Sequence, residues 1–88
     1  DWSRPTAEIE RRVRAFDPQP GCHFEFDGRA VKLWRARVVA GAGAPPGTVE
    51  RGAGVLRVAC GDGRSLELLE LQRPGGRRLD VARFLASA

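Results

Sequence analysis

Apolar and polar positions along the chain repeat with two different periods, and the switches between them mark the elements. Ile9, Val13 and Phe16 recur at i, i+4 and i+7, the stripe of a helix with one buried side. Ser3 is placed to cap this helix, Pro5 suits its first turn, and Glu8 and Glu10 stand near the positive end of its dipole. Asp17-Pro18-Gln19-Pro20-Gly21 ends it, because a residue before proline avoids helical angles. From Cys22 to Asp27 the period falls to two, and Asp27-Gly28 is a hairpin signal leading into a second strand from Ala30 to Val39. Along that strand Val31 and Leu33 share one face while Ala36 and Val38 share the other. A β-bulge near Trp34-Arg35 would restore one continuous inner face, and bulges of this kind let short sheets coil.

Residues 40–47, rich in Gly, Ala and Pro, cannot hold regular structure, and a short strand is expected at Thr48 to Glu50. Val55 to Cys60, a Gly61-Asp62-Gly63 turn and Leu66 to Leu71 read as another hairpin, with Leu56, Val58 and Cys60 facing Leu66 and Leu68. Gln72 to Arg78 is a basic Gly-Pro turn. Leu79 to Ala88 is read as a last helix, with Asp80 near its start and Val81, Phe84 and Leu85 turned inward. One helix, about five short strands and a terminal helix predict an α+β, mainly β domain: a small oligonucleotide-binding-like (OB-like) barrel with an N-terminal helix and a short C-terminal helix.

Eighty-eight residues make a single domain. The apolar stretches are far shorter than the roughly 18–20 residues that span a bilayer, so no membrane partner is expected. Fifteen basic residues oppose eleven acidic ones, and fourteen of the fifteen are Arg, for a pI near 10.4. An excess carried by planar guanidinium forks suits phosphate oxygens. Arg, Ala and Gly enrichment also follows from GC-rich coding, so charge alone leaves a nucleic-acid partner and a merely solubilising surface both open. Cys22, Cys60 and the single His23 form no CxxC or zinc pattern. Both cysteines are expected to be buried free thiols.

Three basic groups are candidates for phosphate contact: Arg11, Arg12 and Arg14, which lie off the helix's apolar stripe; Lys32, Arg35 and Arg37, interleaved with Trp34 on the second strand; and Arg73, Arg77 and Arg78 around Gly75-Gly76. Each has a plainer reading. The first is a solvated helix face with a Glu8–Arg12 pair, the second has Trp34 packed against the helix, and the third is a flexible basic loop. For Trp34 packing is the expectation.

The residue string itself carries more. Asp1-Trp2-Ser3, Ile9-Glu10-Arg11, Arg14-Ala15-Phe16-Asp17-Pro18 and Pro20-Gly21 are followed by Val31-Lys32-Leu33-Trp34 with Ala36 and by Pro46-Gly47-Thr48-Val49. Val58-Ala59-Cys60-Gly61-Asp62-Gly63 and Leu71-Gln72-Arg73-Pro74-Gly75-Gly76-Arg77-Arg78 complete the series. In this order and spacing they resemble the C-terminal domain of methionyl-tRNA formyltransferases over nearly the whole chain. The resemblance implies an OB-like, tRNA-binding domain spanning residues 1–88, joined by a linker to an N-terminal doubly wound domain. That partner domain would bind 10-formyltetrahydrofolate and transfer its formyl group to the methionyl amino group of initiator tRNA. The polar start near Asp1 looks like a cut just after such a linker. The family's reaction relies on Asn, His and Asp residues of the N-terminal domain, whereas this chain has no Asn and one His. No catalytic, cofactor or metal residue is therefore carried over. The implied setting is a monomeric, cytoplasmic enzyme of translation initiation, partnered by initiator tRNA. A docking domain of a formyltransferase acting on a nucleotide sugar or another small amine, with no RNA partner, stands as the alternative. An independent single-strand-binding barrel is disfavoured by the scarcity of aromatics.

Overall fold

A computed structural model describes residues 2–15 and 23–87. Helix α1 (Thr6–Arg14) precedes strands β1 (His23–Phe26), β2 (Arg29–Val39), β3 (Val49–Gly52), β4 (Val55–Ala59), β5 (Ser65–Gln72) and β6 (Arg78–Asp80), and helix α2 (Val81–Ala86) closes the order. All pairings are antiparallel. The sheet runs β1-β2-β5-β4-β3 and curls into a half-barrel. Along one edge of β5, β4 pairs with Ser65 to Glu67 and β6 takes over from Glu70 to Gln72. The mainly β fold with a helix at each end is therefore as expected.

The hairpin turn falls where expected: Asp27 and Gly28 have φ of 51° and 77°, the left-handed pair that a two-residue turn requires. The bulge is also present, but it is double. Trp34 is the extra residue on β2 between the pairs Leu33↔Leu71 and Arg35↔Glu70, and Leu69 is the extra residue on β5 before the pair Ala36↔Leu68. The two shifts cancel, so both strands change phase together. Val31, Leu33, Leu66, Leu68 and Leu71 are all buried, and Ala36 packs against them. Onto this inner face α1 brings Ile9 and Val13, β4 brings Leu56 and Val58, and α2 brings Phe84 and Leu85. Cys60 lies in the same core with its thiol directed at the Val58 carbonyl, and burial raises its pKa, as suits an unreactive thiol.

Details at both ends of the chain differ from the sequence reading. Leu79 belongs to β6, opposite Leu71, and not to the last helix. A sixth strand forms because β4 leaves the end of β5 unpaired, and backbone groups there need partners. The helix starts at Val81, where the Asp80 carboxylate accepts from the Arg83 N–H at 2.9 Å. Nor is Ser3 the cap of α1. Pro5 takes that position without a side-chain cap bond. Instead Asp62, in the turn between β4 and β5, accepts from the Thr6 N–H at 3.2 Å and the Thr6 hydroxyl at 2.6 Å. The Gly61 N–H donates to the Arg4 carbonyl at 3.1 Å beside it. The start of α1 is thus fastened by a turn more than fifty residues away. The expected Phe16 contact, the 17–21 exit turn and Cys22 lie outside the described residues.

The Thr6 hydroxyl, followed against some burial by the backbone N–H groups of Arg64 and Thr6, holds the Asp62 carboxyl below its ordinary value. A carboxylate whose pKa is lower folded than unfolded stabilises the fold above the unfolded value, and loses that contribution as pH falls through the depressed folded value. Acid unfolding of the chain, followed by circular dichroism, should accordingly become less steep in Asp62→Asn below about pH 4. An acid limb identical to wild type would show that Asp62 does not couple protonation to folding.

Candidate nucleic-acid interface

With the apolar positions of β2 and β5 turned to the core, their remaining side chains line the opposite face. Cross-strand register sets them in rows. Glu50, Arg57, Glu67 and Arg37 face one another across β3, β4, β5 and β2. Arg35, Glu70 and Asp80 form a second row, and Lys32, Gln72 and Arg78 a third.

Within these rows two carboxylates each hold two arginines from different strands. Glu67 Oε2 accepts from Arg37 Nη2 at 2.8 Å and Nε at 3.0 Å, while Oε1 accepts from Arg57 Nε at 3.0 Å. Glu70 divides its oxygens in the same way, Oε2 to Arg35 Nη1 at 3.3 Å and Oε1 to Arg78 Nε at 2.5 Å. The carboxylates lie underneath: the Glu67 and Glu70 side chains are 9% and 23% exposed, whereas Arg37, Arg35, Arg78 and Arg57 are 62%, 61%, 49% and 42% exposed. Burial opposes ionisation of Glu67, yet the bonds from Arg57 and Arg37 outweigh it and keep the carboxyl below its usual range. For Glu70 the Arg78 bond is the largest influence, aided by Arg35, and lowers it likewise. Each Arg–Glu–Arg group carries a net single positive charge and shows guanidinium to the solvent. A guanidinium has five N–H donors, so every one of the four keeps donors beyond those its glutamate uses.

Trp34 stands beside these groups, half-buried, and does not pack against the helix as expected. Its indole N–H donates to Gln72 Oε1 at 2.8 Å, and Lys32 Nζ and the Arg78 guanidinium lie 4.1 and 4.6 Å from its ring centroids. Gln72 in turn donates to the Gly76 carbonyl at 2.8 Å, tying the ring to the turn after β5. Alternation is the reason: with Val31 and Leu33 turned to the core, Trp34 falls with Lys32 on the outer face, away from the inner face that α1 covers.

The three basic groups read from the sequence are not on one surface. Lys32, Arg35, Arg37 and Arg78 come together on the outer sheet face. Arg11, Arg12 and Arg14 stand on the solvent side of α1, whose other side meets the core, so the sheet separates them from the first set. Arg14 bonds Glu10 at 2.9 Å, and Glu8 is taken by Arg4 at 2.7 Å instead of the anticipated Arg12. Arg11, Arg12 and Arg77 are exposed and make no ion pair among the described residues. Arg73 turns the other way: its guanidinium lies 4.0 Å from the Phe84 ring and donates to the Phe84 carbonyl at 3.0 Å and Ser87 Oγ at 2.8 Å. It fastens the end of α2.

Arg57, Glu67 and Glu70 were not among the sequence candidates. In a regular strand, residues three apart point to opposite faces, and only the bulge at Leu69 puts Glu67 and Glu70 on the same side. The signal was present in Leu68 and Leu71, also three apart and both apolar, which reveals the slip once β5 is known to be one strand. Among the described residues no group of His, Cys, Asp and Glu could hold a metal ion, and no helix is long and apolar enough to cross a membrane.

Residues 1–88, the whole chain, match the family described as formyl transferase, C-terminal domain. A methionyl-tRNA formyltransferase of Methylibium petroleiphilum is 63% identical over 86 residues, which cover 98% of this chain and 27% of that protein. Proteins of the same name from Paraburkholderia phymatum and Dechloromonas aromatica are 52% and 45% identical over 100% and 98% of the chain and 27% and 28% of their own lengths. The chain therefore spans about a quarter of the length of these relatives. With its half-barrel, entry helix and arginine-lined face, the chain belongs to the formyl transferase C-terminal domain family.

Proposed function

We propose that this domain grips tRNA on behalf of a methionyl-tRNA formyltransferase and takes no part in the chemistry. The observation that carries this reading is the layer of outward guanidinium groups, on the sheet face and on α1, over recessed carboxylates. Such a layer contacts phosphate oxygens without reading bases, and phosphate contacts position a nucleic acid rather than specify it. The names of the relatives supply the tRNA. Cations on both sides of the sheet suit a bulky, folded RNA better than a flat ligand. In this reading the partner is initiator tRNA, and selection of the initiator rests with an N-terminal catalytic domain that also binds 10-formyltetrahydrofolate. No residue of this chain is assigned to that cofactor, and the setting is the cytoplasm.

The test is a titration of the chain into labelled initiator tRNA at several salt concentrations, with duplex DNA as competitor. Binding should weaken with a log–log salt slope near −0.9 per phosphate contacted in a duplex region. The Arg11→Glu/Arg12→Glu variant should lose affinity and have a shallower slope if α1 takes part. No binding at low salt would remove the tRNA role and leave a docking domain for the catalytic half.

A further inference from the structure

We infer that Glu67 and Glu70 are positioning residues that turn the outer sheet face into a two-point site for an RNA phosphodiester backbone. The inference rests on the tRNA reading above and adds to it which face is used and what organises it.

The charges on this face are at odds with simple attraction. A surface meant only to attract a polyanion gains nothing from acidic side chains beneath its arginines, because each cancels one positive charge. Here two carboxylates sit in those places, and each spans two strands. The Glu70 pairs, partly exposed on both sides, contribute little stability, so a purely stabilising role explains them poorly. Geometry offers a better account. Arg side chains have many rotamers, and freezing them on a ligand is costly. Sharing a carboxylate oxygen by oxygen fixes two guanidinium groups in advance and leaves their other N–H groups facing out. Ionisation of both carboxyls is itself favoured by those same arginines.

Spacing supports two separate contacts. Glu67 and Glu70 are three residues apart on β5, but the bulge at Leu69 takes up one of them: their partners Arg37 and Arg35 are two residues apart on β2, which at about 3.3 Å per residue puts the two groups roughly 7 Å from each other. That exceeds the reach of a single phosphate and suits successive positions along a nucleic-acid strand. Lys32, in register with Gln72 and Arg78, extends the row past Glu70. The ligand class follows from the donors: planar forks match the non-bridging oxygens of a phosphodiester.

A positioned site and a simple polycation differ in the sign of one response. Replacing both carboxylates, Glu67→Gln/Glu70→Gln, raises the net charge from +4 by two units. A non-specific polycation would then bind tRNA more tightly. A positioned site should instead bind about three- to tenfold more weakly, with the salt slope shallower by about one unit for each phosphate no longer engaged. The measurement is the same tRNA titration across salt, run on wild type and variant, with thermal melts alongside. Glu70→Gln alone, at the more exposed carboxylate, makes the same test should the double variant fold poorly. Partial unfolding lowers the active fraction but leaves the slope unchanged, so the slope separates positioning from damage. Wild-type binding with equal or tighter binding by the variants would overturn the inference and leave the tRNA reading intact. Absence of wild-type binding would overturn both.

Discussion

Phe84→Ala is expected to lower the melting temperature by roughly 15–30 °C, enough to leave much of the chain unfolded at 37 °C. Phe84 is the largest side chain with no exposure at all among the described residues, and it comes from the six-residue helix α2. A helix this short has almost no stability of its own. It is held by what it buries, Phe84 and Leu85. The ring lies 5.5 Å from Phe26, which in turn meets Phe24 at 5.9 Å, and Phe24 meets Trp2 edge-on at 6.1 Å. A single row of rings therefore links the two ends of the described chain across β1. Truncation to alanine removes the transfer energy of the ring and leaves a cavity, about 3–5 kcal/mol together for a phenylalanine. It also removes the surface on which the Arg73 guanidinium rests. Small domains have little stability to spare. Circular dichroism melts of wild type and variant decide the matter, and a drop of less than about 5 °C would mean that α2 is not held through Phe84.

Gly61→Ala is expected to have the second-largest effect, and a more local one. A Cβ at Gly61 would stand 1.7 Å from the Ser3 carbonyl oxygen and 2.5 Å from its carbon. Both are backbone atoms, so no side chain can swing away to make room. The segment before α1 has to lift from the turn. The Gly61–Arg4 hydrogen bond goes with it, and Asp62 loses its position against Thr6. Overpacking of this kind costs about 1–3 kcal/mol. The damage should be confined: hydrogen exchange is expected to accelerate in the α1 amides while β2 and β5 stay protected. Exchange in α1 as slow as in wild type would mean that the turn does not anchor the helix. Undocking α1 also displaces Arg11 and Arg12, so the same variant should weaken tRNA binding if the helix side contributes.

Much of this architecture was legible from local patterns. The Ile9–Val13 stripe identified α1 because a buried helix face repeats every three to four residues. Asp27-Gly28 announced the first hairpin because few residue pairs accept two left-handed conformations in succession. The apolar phase slip between Leu33 and Ala36 announced a bulge, since only an extra residue keeps both on the core side. The ordered motifs from Trp2 to Arg78 pointed to the family without any knowledge of the fold.

What escaped the sequence reading has one physical source, namely partners far apart along the chain. Leu79 read as helical because its neighbours favour that period, yet the free edge of β5 offered backbone hydrogen bonds that a helix start could not match. Ser3 looked like a cap because caps are usually local, but the residue that binds Thr6 is Asp62, more than fifty positions along the chain. Arg73, Arg77 and Arg78 looked alike in one turn, and the packing sent Arg73 onto Phe84 while Arg78 joined Glu70. The candidate site shows the same division. Which residues carry positive charge was settled by the sequence alone, together with α1 and β2 that bear two of the three candidate groups; that Arg78 opens a strand was not. Which of them share a surface was decided only by the tertiary structure, because the paired bulges at Trp34 and Leu69 determine which face each side chain joins, and face depends on the register between strands rather than on the order of residues within one.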